Sequence, residues 1–158
     1  MILTSPYLRM ENQKLHLVCA EIIIMRHVFY KANKNVLQKA NILSFGFNKM
    51  GDIDGNEPGI HAEHDAINKL KPLDKKKKLE PINLLVIRFS KNNKIQSSKP
   101  CANCIQNMKT LPKKKGYKIK NIYYSNDNEE IVKSSIKILE TEGLHYSRFY
   151  RRKNLSRL

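Results

Sequence analysis

Two short clusters constrain this chain more than anything else in it: His61-Ala62-Glu63 and Pro100-Cys101-Ala102-Asn103-Cys104. One imidazole and two thiols are a ligand set for zinc, and three protein ligands leave the fourth position of a tetrahedron open. The spacing then dictates local structure. In mid-helix, residues two apart diverge by about 200°, so His61 and Glu63 serve one site only if a helix begins there. Pro58 and Gly59 just upstream supply that beginning. Cys101 and Cys104 stand at i and i+3, which puts both sulfurs on one helix face, and the positive helix end favours their thiolate forms. Between Glu63 and Pro100 lie 36 residues, room for the rest of one helix, a strand and a loop. The two helices can therefore lie side by side on the same face of a sheet.

The rest of the chain supplies that sheet. Residues 15–30 fit either a helical apolar stripe or, through Ile22-Ile23-Ile24, a strand. The turn-like Ala32-Asn33-Lys34-Asn35 and the run Ile42 to Phe47 favour a β-hairpin over 19–30 and 36–47. Residues 48–59 read as a loop and 60–70 as the first helix. A buried strand over 82–89 follows, then a polar turn over 91–99 and a second helix from Pro100 to about Leu111, closed by Pro112 and Gly116. A strand over 118–125 meets Asn126-Asp127-Asn128, too short for a crossover, so the strand beginning near Glu130 returns antiparallel. Residues 134–142 fit an extension of that strand or a helix. The prediction is one α/β domain over 1–142 with a mixed five-stranded sheet, followed by a basic, aromatic tail over 143–158.

Each site residue also has a plainer reading. Cys101 and Cys104 alone fit a redox pair or half of a structural zinc site; His61 alone fits a half-buried histidine, and Glu63 alone a helix-dipole partner. A structural site needs a fourth ligand, for which His64 is the near candidate, although beside Glu63 it reads as an exposed helix residue. The conjunction favours chemistry. A metal held this way lowers the pKa of a water to about 7, and Glu63 is the residue left over to carry its proton.

With GFN at Gly46-Phe47-Asn48, HAEHDAI at His61 to Ile67 and SKPCANC at Ser98 to Cys104, the chain resembles the zinc-dependent cytidine and deoxycytidylate deaminase superfamily, whose signature is H-x-E followed by P-C-x-x-C. The likeness runs from Phe45 to about Val132. It implies a three-layer fold with the two zinc-site helices on one face, zinc on His61, Cys101 and Cys104, and Glu63 as proton shuttle in hydrolytic deamination of a cytosine. It also implies Asn48 as a substrate contact. The NIYYSNDNEEIV stretch resembles branches with an antiparallel final hairpin, as in free cytidine deaminases. Two departures stand out: residues 1–14 are short for the family's opening helix, and no phosphate-binding signature for deoxycytidylate is recognisable.

Charge bears on the partner. The net charge of +16 suits a polyanion, yet 23 of the 30 basic residues are Lys, with 16 Asn and 17 Ile, the usage of an AT-rich gene. Arg, which makes planar bidentate contacts, gathers only in the tail, where Arg148, Arg151 and Arg152 stand beside Tyr146 and Phe149 as candidate nucleic-acid contacts. Lys75 to Lys78 and Lys113 to Lys115 read as solvated loops, and Cys19 as a small buried residue. The expected ligand is a pyrimidine nucleoside or nucleotide. An RNA or single-stranded DNA deaminase, and a structural protein of the same fold without turnover, are the rivals. Homo-oligomerisation is a further expectation, as is a cytoplasmic location, since no stretch of about 18 apolar residues and no secretory pattern is present.

Overall fold

The structure, a computed structural model, describes residues 20–25, 42–49, 51, 59–73, 78–90, 92–143 and 146–155. Residues 1–19, where the family's opening helix would stand and which include Cys19, and the span that would close the first hairpin lie outside them. The elements run β1 (Ala20–Met25), β2 (Ile42–Phe47), α1 (Ala62–Lys69), β3 (Glu80–Phe89), β4 (Ile95–Gln96), α2 (Ala102–Lys114), β5 (Tyr117–Ser125), β6 (Ile131–Ser134), α3 (Ile136–Thr141) and α4 (Arg148–Leu155). This is an α/β arrangement around one mixed sheet of order β2-β1-β3-β5-β6, with β4 paired to β3. Among the described residues the sheet thus has six strands where five are predicted. The addition is the two-residue β4, formed where the polar stretch before Pro100 folds back on Arg88 and Phe89.

β3 and β5 run parallel and every other pairing is antiparallel. β6 returns along β5 through a turn in which Asn126 accepts the backbone N–H groups of Asn128 and Glu130, the local bonding that suits Asn to turns. The ambiguous stretch after β6 becomes α3, started by the Ser135 side chain, which accepts the Ile138 N–H. Helices α1 and α2 pack on each other, α1 also on β1 and β2, and α2 also on β5 and α3. Among the described residues α1, α2 and α3 therefore form one connected layer over the sheet.

The core between layers comes from alternate strand positions and one stripe of each helix: Ile82, Leu84 and Val86 of β3, Ile122 and Tyr124 of β5, Ala66 and Ile67 of α1, and Ile105 and Met108 of α2. Pro112 does not end α2 as predicted; it lies buried inside the last turn, and the helix continues to Lys114. Near a C-terminus a missing N–H costs one bond, and the buried ring adds apolar contact that offsets it. Lys115 corrects the reading of its run as a solvated loop. Its ammonium donates to the Asn68 and Leu70 carbonyls at 2.6 and 2.7 Å, covering the negative end of α1 with a cation from the end of α2.

β2 approaches α1 unusually closely. A Cβ on Gly46 would stand 2.3 Å from the Ala62 carbonyl oxygen and 2.4 Å from the Ala66 nitrogen, and the Ser44 hydroxyl donates to the Ala66 carbonyl at 2.8 Å. Only glycine permits this approach. Gly46→Ala is expected to push α1 off the sheet, lowering stability by about 1–3 kcal/mol in thermal unfolding.

Candidate metal and acid-base site

His61 and Cys101 occupy equivalent places: each is the N-cap of its helix, in extended conformation, and neither side chain caps its own helix. This corrects two sequence expectations. The first helix begins at Ala62 and not at Ile60, and Cys101 sits just outside α2, with only Cys104 inside its first turn. Two caps that do not cap are free to converge. The His61 Nδ1 lies 3.2 Å from the Cys104 Sγ and 3.6 Å from the Cys101 Sγ. The three ligand atoms lie within 4.8 Å of one another and could hold a metal ion; among the described residues no fourth ligand joins them. His64 is half-buried and outside the group.

The α1 N-terminus still needs a partner for its orphan N–H groups, and Asn48 provides it. Its Oδ1 accepts the Ala62 N–H at 2.9 Å. Since a backbone N–H only donates, this bond fixes the amide orientation and leaves the Nδ2 hydrogens as the donors Asn48 can offer elsewhere. On the α2 side, Ser98 fastens the Pro100 turn to the sheet. Its hydroxyl bonds the Val86 carbonyl at 2.8 Å and the Ser125 hydroxyl at 2.7 Å, and its N–H donates to the Ser125 carbonyl at 2.8 Å. The turn carrying Cys101 is thus tied to the ends of β3 and β5.

Charge within the cluster is uneven. The Cys104 thiol bonded to Cys101, helped by the imidazole of His61, overcomes burial and holds Cys101 down to about 4, a thiolate at neutral pH. Cys104 is pushed up by that same bond and by burial, so it carries the proton of the pair. His61 is raised, chiefly by its bond with Cys101. Glu63, 6% exposed, is raised by burial and lies in hydrogen-bonding contact with Cys104. A buried carboxyl whose proton affinity is raised, beside three groups that could hold a metal ion, is suited to passing protons.

Asp65 is the residue that sequence reading missed. It is 3% exposed, accepts the Phe47 N–H at 3.2 Å, and takes Lys49 and Lys69 each at 2.6 Å. One turn on from Ala62 and next to Ala66, it puts a charge on the helix face that β2 covers, a burial that shows only in the fold. Burial works to raise its pKa, and the two ammonium groups with the Phe47 N–H overcome this and hold it at about 2, below its ordinary 3.8. A depressed carboxylate stabilises the fold fully above the ordinary value and loses that contribution as pH falls toward the folded one. Acid unfolding of the wild type and of Asp65→Asn is therefore expected to differ above about pH 4 and to converge near about pH 2.

The described residues of the tail do not join this cluster. Arg148, Phe149, Arg151 and Arg152 lie on α4, with Arg151 and Arg152 exposed, and Tyr146 precedes it at 47% exposure. α4 makes no extensive packing contact with α1 or α2. No described helix is long and apolar enough to cross a membrane.

No protein-family model matches the chain, and no curated protein matches it. Among solved structures it is similar to a dCMP deaminase from the cyanophage S-TIM5 in apo form, with a TM-score of 0.38 and 18% identity, covering 80% of this chain and 76% of that one.

Proposed function

We propose that this chain is a zinc-dependent enzyme that deaminates the cytosine of a nucleoside or nucleotide. The observation that carries the reading is a buried carboxyl, Glu63, set against a three-membered nitrogen and sulfur donor group. That group fits zinc. A tetrahedral ion with Zn–N and Zn–S near their usual lengths has an N···S edge of about 3.6 Å, close to the 3.2 and 3.6 Å between His61 Nδ1 and the two sulfurs.

Bound there by His61, Cys101 and Cys104, zinc supplies a Lewis acid at which water ionises near neutral pH. The protein supplies the proton transfers and the orientation. Glu63 takes one proton from the attacking water and delivers it to the ring nitrogen, where it stays, then takes the second from the hydroxyl added to the ring and delivers it to the departing amino group. Cytosine and water give the uracil base and ammonia, and Glu63 ends as it began. Asn48, its oxygen committed to Ala62, offers only donors, which suit an acceptor oxygen of the sugar or base.

A second reading concerns the substrate. Exposed Arg151 and Arg152 beside the edge-to-face pair of Phe149 and Tyr150, with centroids 5.4 Å apart, are a combination that holds phosphates and stacks bases. The deciding experiment assays zinc-loaded protein against cytidine, deoxycytidine, their monophosphates, and single-stranded RNA and DNA at several salt concentrations. Fastest turnover of a free nucleoside or nucleotide supports the first reading. Preference for oligonucleotides, with KM rising steeply with salt, supports the second.

A further inference from the structure

Asn48 stands between two residues fastened to one carboxylate. Asp65 holds the Phe47 backbone N–H at 3.2 Å and the Lys49 ammonium at 2.6 Å, so the residues before and after Asn48 are both anchored to α1. Lys69, one turn further along, completes the carboxylate's set at 2.6 Å and stands 5.6 and 5.7 Å from the ring centroids of Phe45 and Phe47. Asn48 closes the bracket through its own bond to Ala62. An apolar side chain at position 65 could fill the same space without the cost of burying a charge. What a carboxylate adds is direction, because it fixes a backbone N–H and an ammonium in a single geometry.

We infer that Asp65 is a positioning residue: by tying Phe47 and Lys49 to α1, it sets where the Asn48 carboxamide nitrogen points, and through it the binding of the substrate oxygen that Asn48 addresses. The substrate half of this inference rests on the deaminase reading; the geometric half does not.

Asp65→Asn keeps an acceptor for the Phe47 N–H and removes the charge that holds the lysines. In the zinc-loaded enzyme it raises KM for the best cytosine substrate about tenfold, with kcat within about twofold and metal content unchanged. Lys49→Met, which removes one attachment from a largely exposed side chain, moves KM the same way by less and guards against a folding defect in the first variant. Hydrogen exchange supplies a readout independent of turnover. The Ala62 amide, covered by Asn48, exchanges about tenfold faster in Asp65→Asn, while the Ile105 amide, bonded to the Cys101 carbonyl in α2, keeps its wild-type rate. A lower melting temperature with KM and Ala62 exchange both unmoved makes Asp65 merely structural and overturns the inference. So does movement of only one of the two in an active enzyme. If the wild type deaminates nothing, the functional reading falls, and Ala62 exchange alone decides whether Asp65 holds Asn48.

Discussion

Glu63→Gln is expected to leave a folded, metal-loaded protein whose kcat is about 10²- to 10⁴-fold lower, the usual contribution of a positioned acid-base group. Gln keeps the shape of Glu and cannot carry the proton. The stability of the variant separates this from general damage. Burial raises the Glu63 pKa, so the folded state resists its ionisation, and the wild type loses stability as pH rises above the value for a free glutamate. Gln has nothing to ionise. In the chelated protein, Glu63→Gln is therefore as stable as the wild type or more so at neutral pH, and any advantage shrinks in acid. Wild-type turnover in this variant would show that another group moves the proton.

Removing one of the proposed metal ligands is expected to act differently, on stability and activity together. Cys101→Ala leaves two ligands from separate helices. Metal that binds only the folded state stabilises it by about 4 kcal/mol when present at about a thousandfold over its dissociation constant. For a domain of this size that is about 8–16 °C in melting temperature. Scanning calorimetry of the wild type with and without a chelator should show a fall of that order, and Cys101→Ala should melt near the chelated value whether or not zinc is added. A melting temperature indifferent to zinc in the wild type would mean that the donor group holds no metal of consequence.

The parts of the site that could be read from the sequence are those whose chemistry is rare. A histidine, a glutamate and two cysteines at these spacings have few joint uses, so their grouping follows from ligand chemistry before any coordinates, and the strand and helix periods say which elements carry them. The devices that hold the ligands in place were not legible. That Asn48 caps α1 depends on a bond between residues 14 apart in sequence, and that His61 and Cys101 are caps depends on where each helix begins, which propensity places only to within a residue or two. Asp65 was hidden for a related reason: an acid beside Lys69 in a helix reads as a surface pair, and only the close passage of Gly46 over Ala62 and Ala66 shows that this face is buried. Pro112 misled because its rule applies to helix interiors, and one buried last turn escaped it.

Hydrolysis of the amino group from a cytosine by these residues, loaded with zinc, is the proposed reaction. It is tested most directly by measuring ammonia released and uracil base formed when the zinc-loaded protein meets cytidine, deoxycytidine and their monophosphates, with Glu63→Gln as control. Equal amounts of both products are expected from at least one of these compounds, and almost none from the control. A protein holding one zinc per chain that releases no ammonia from any cytosine compound, free or in an oligonucleotide, would contradict it.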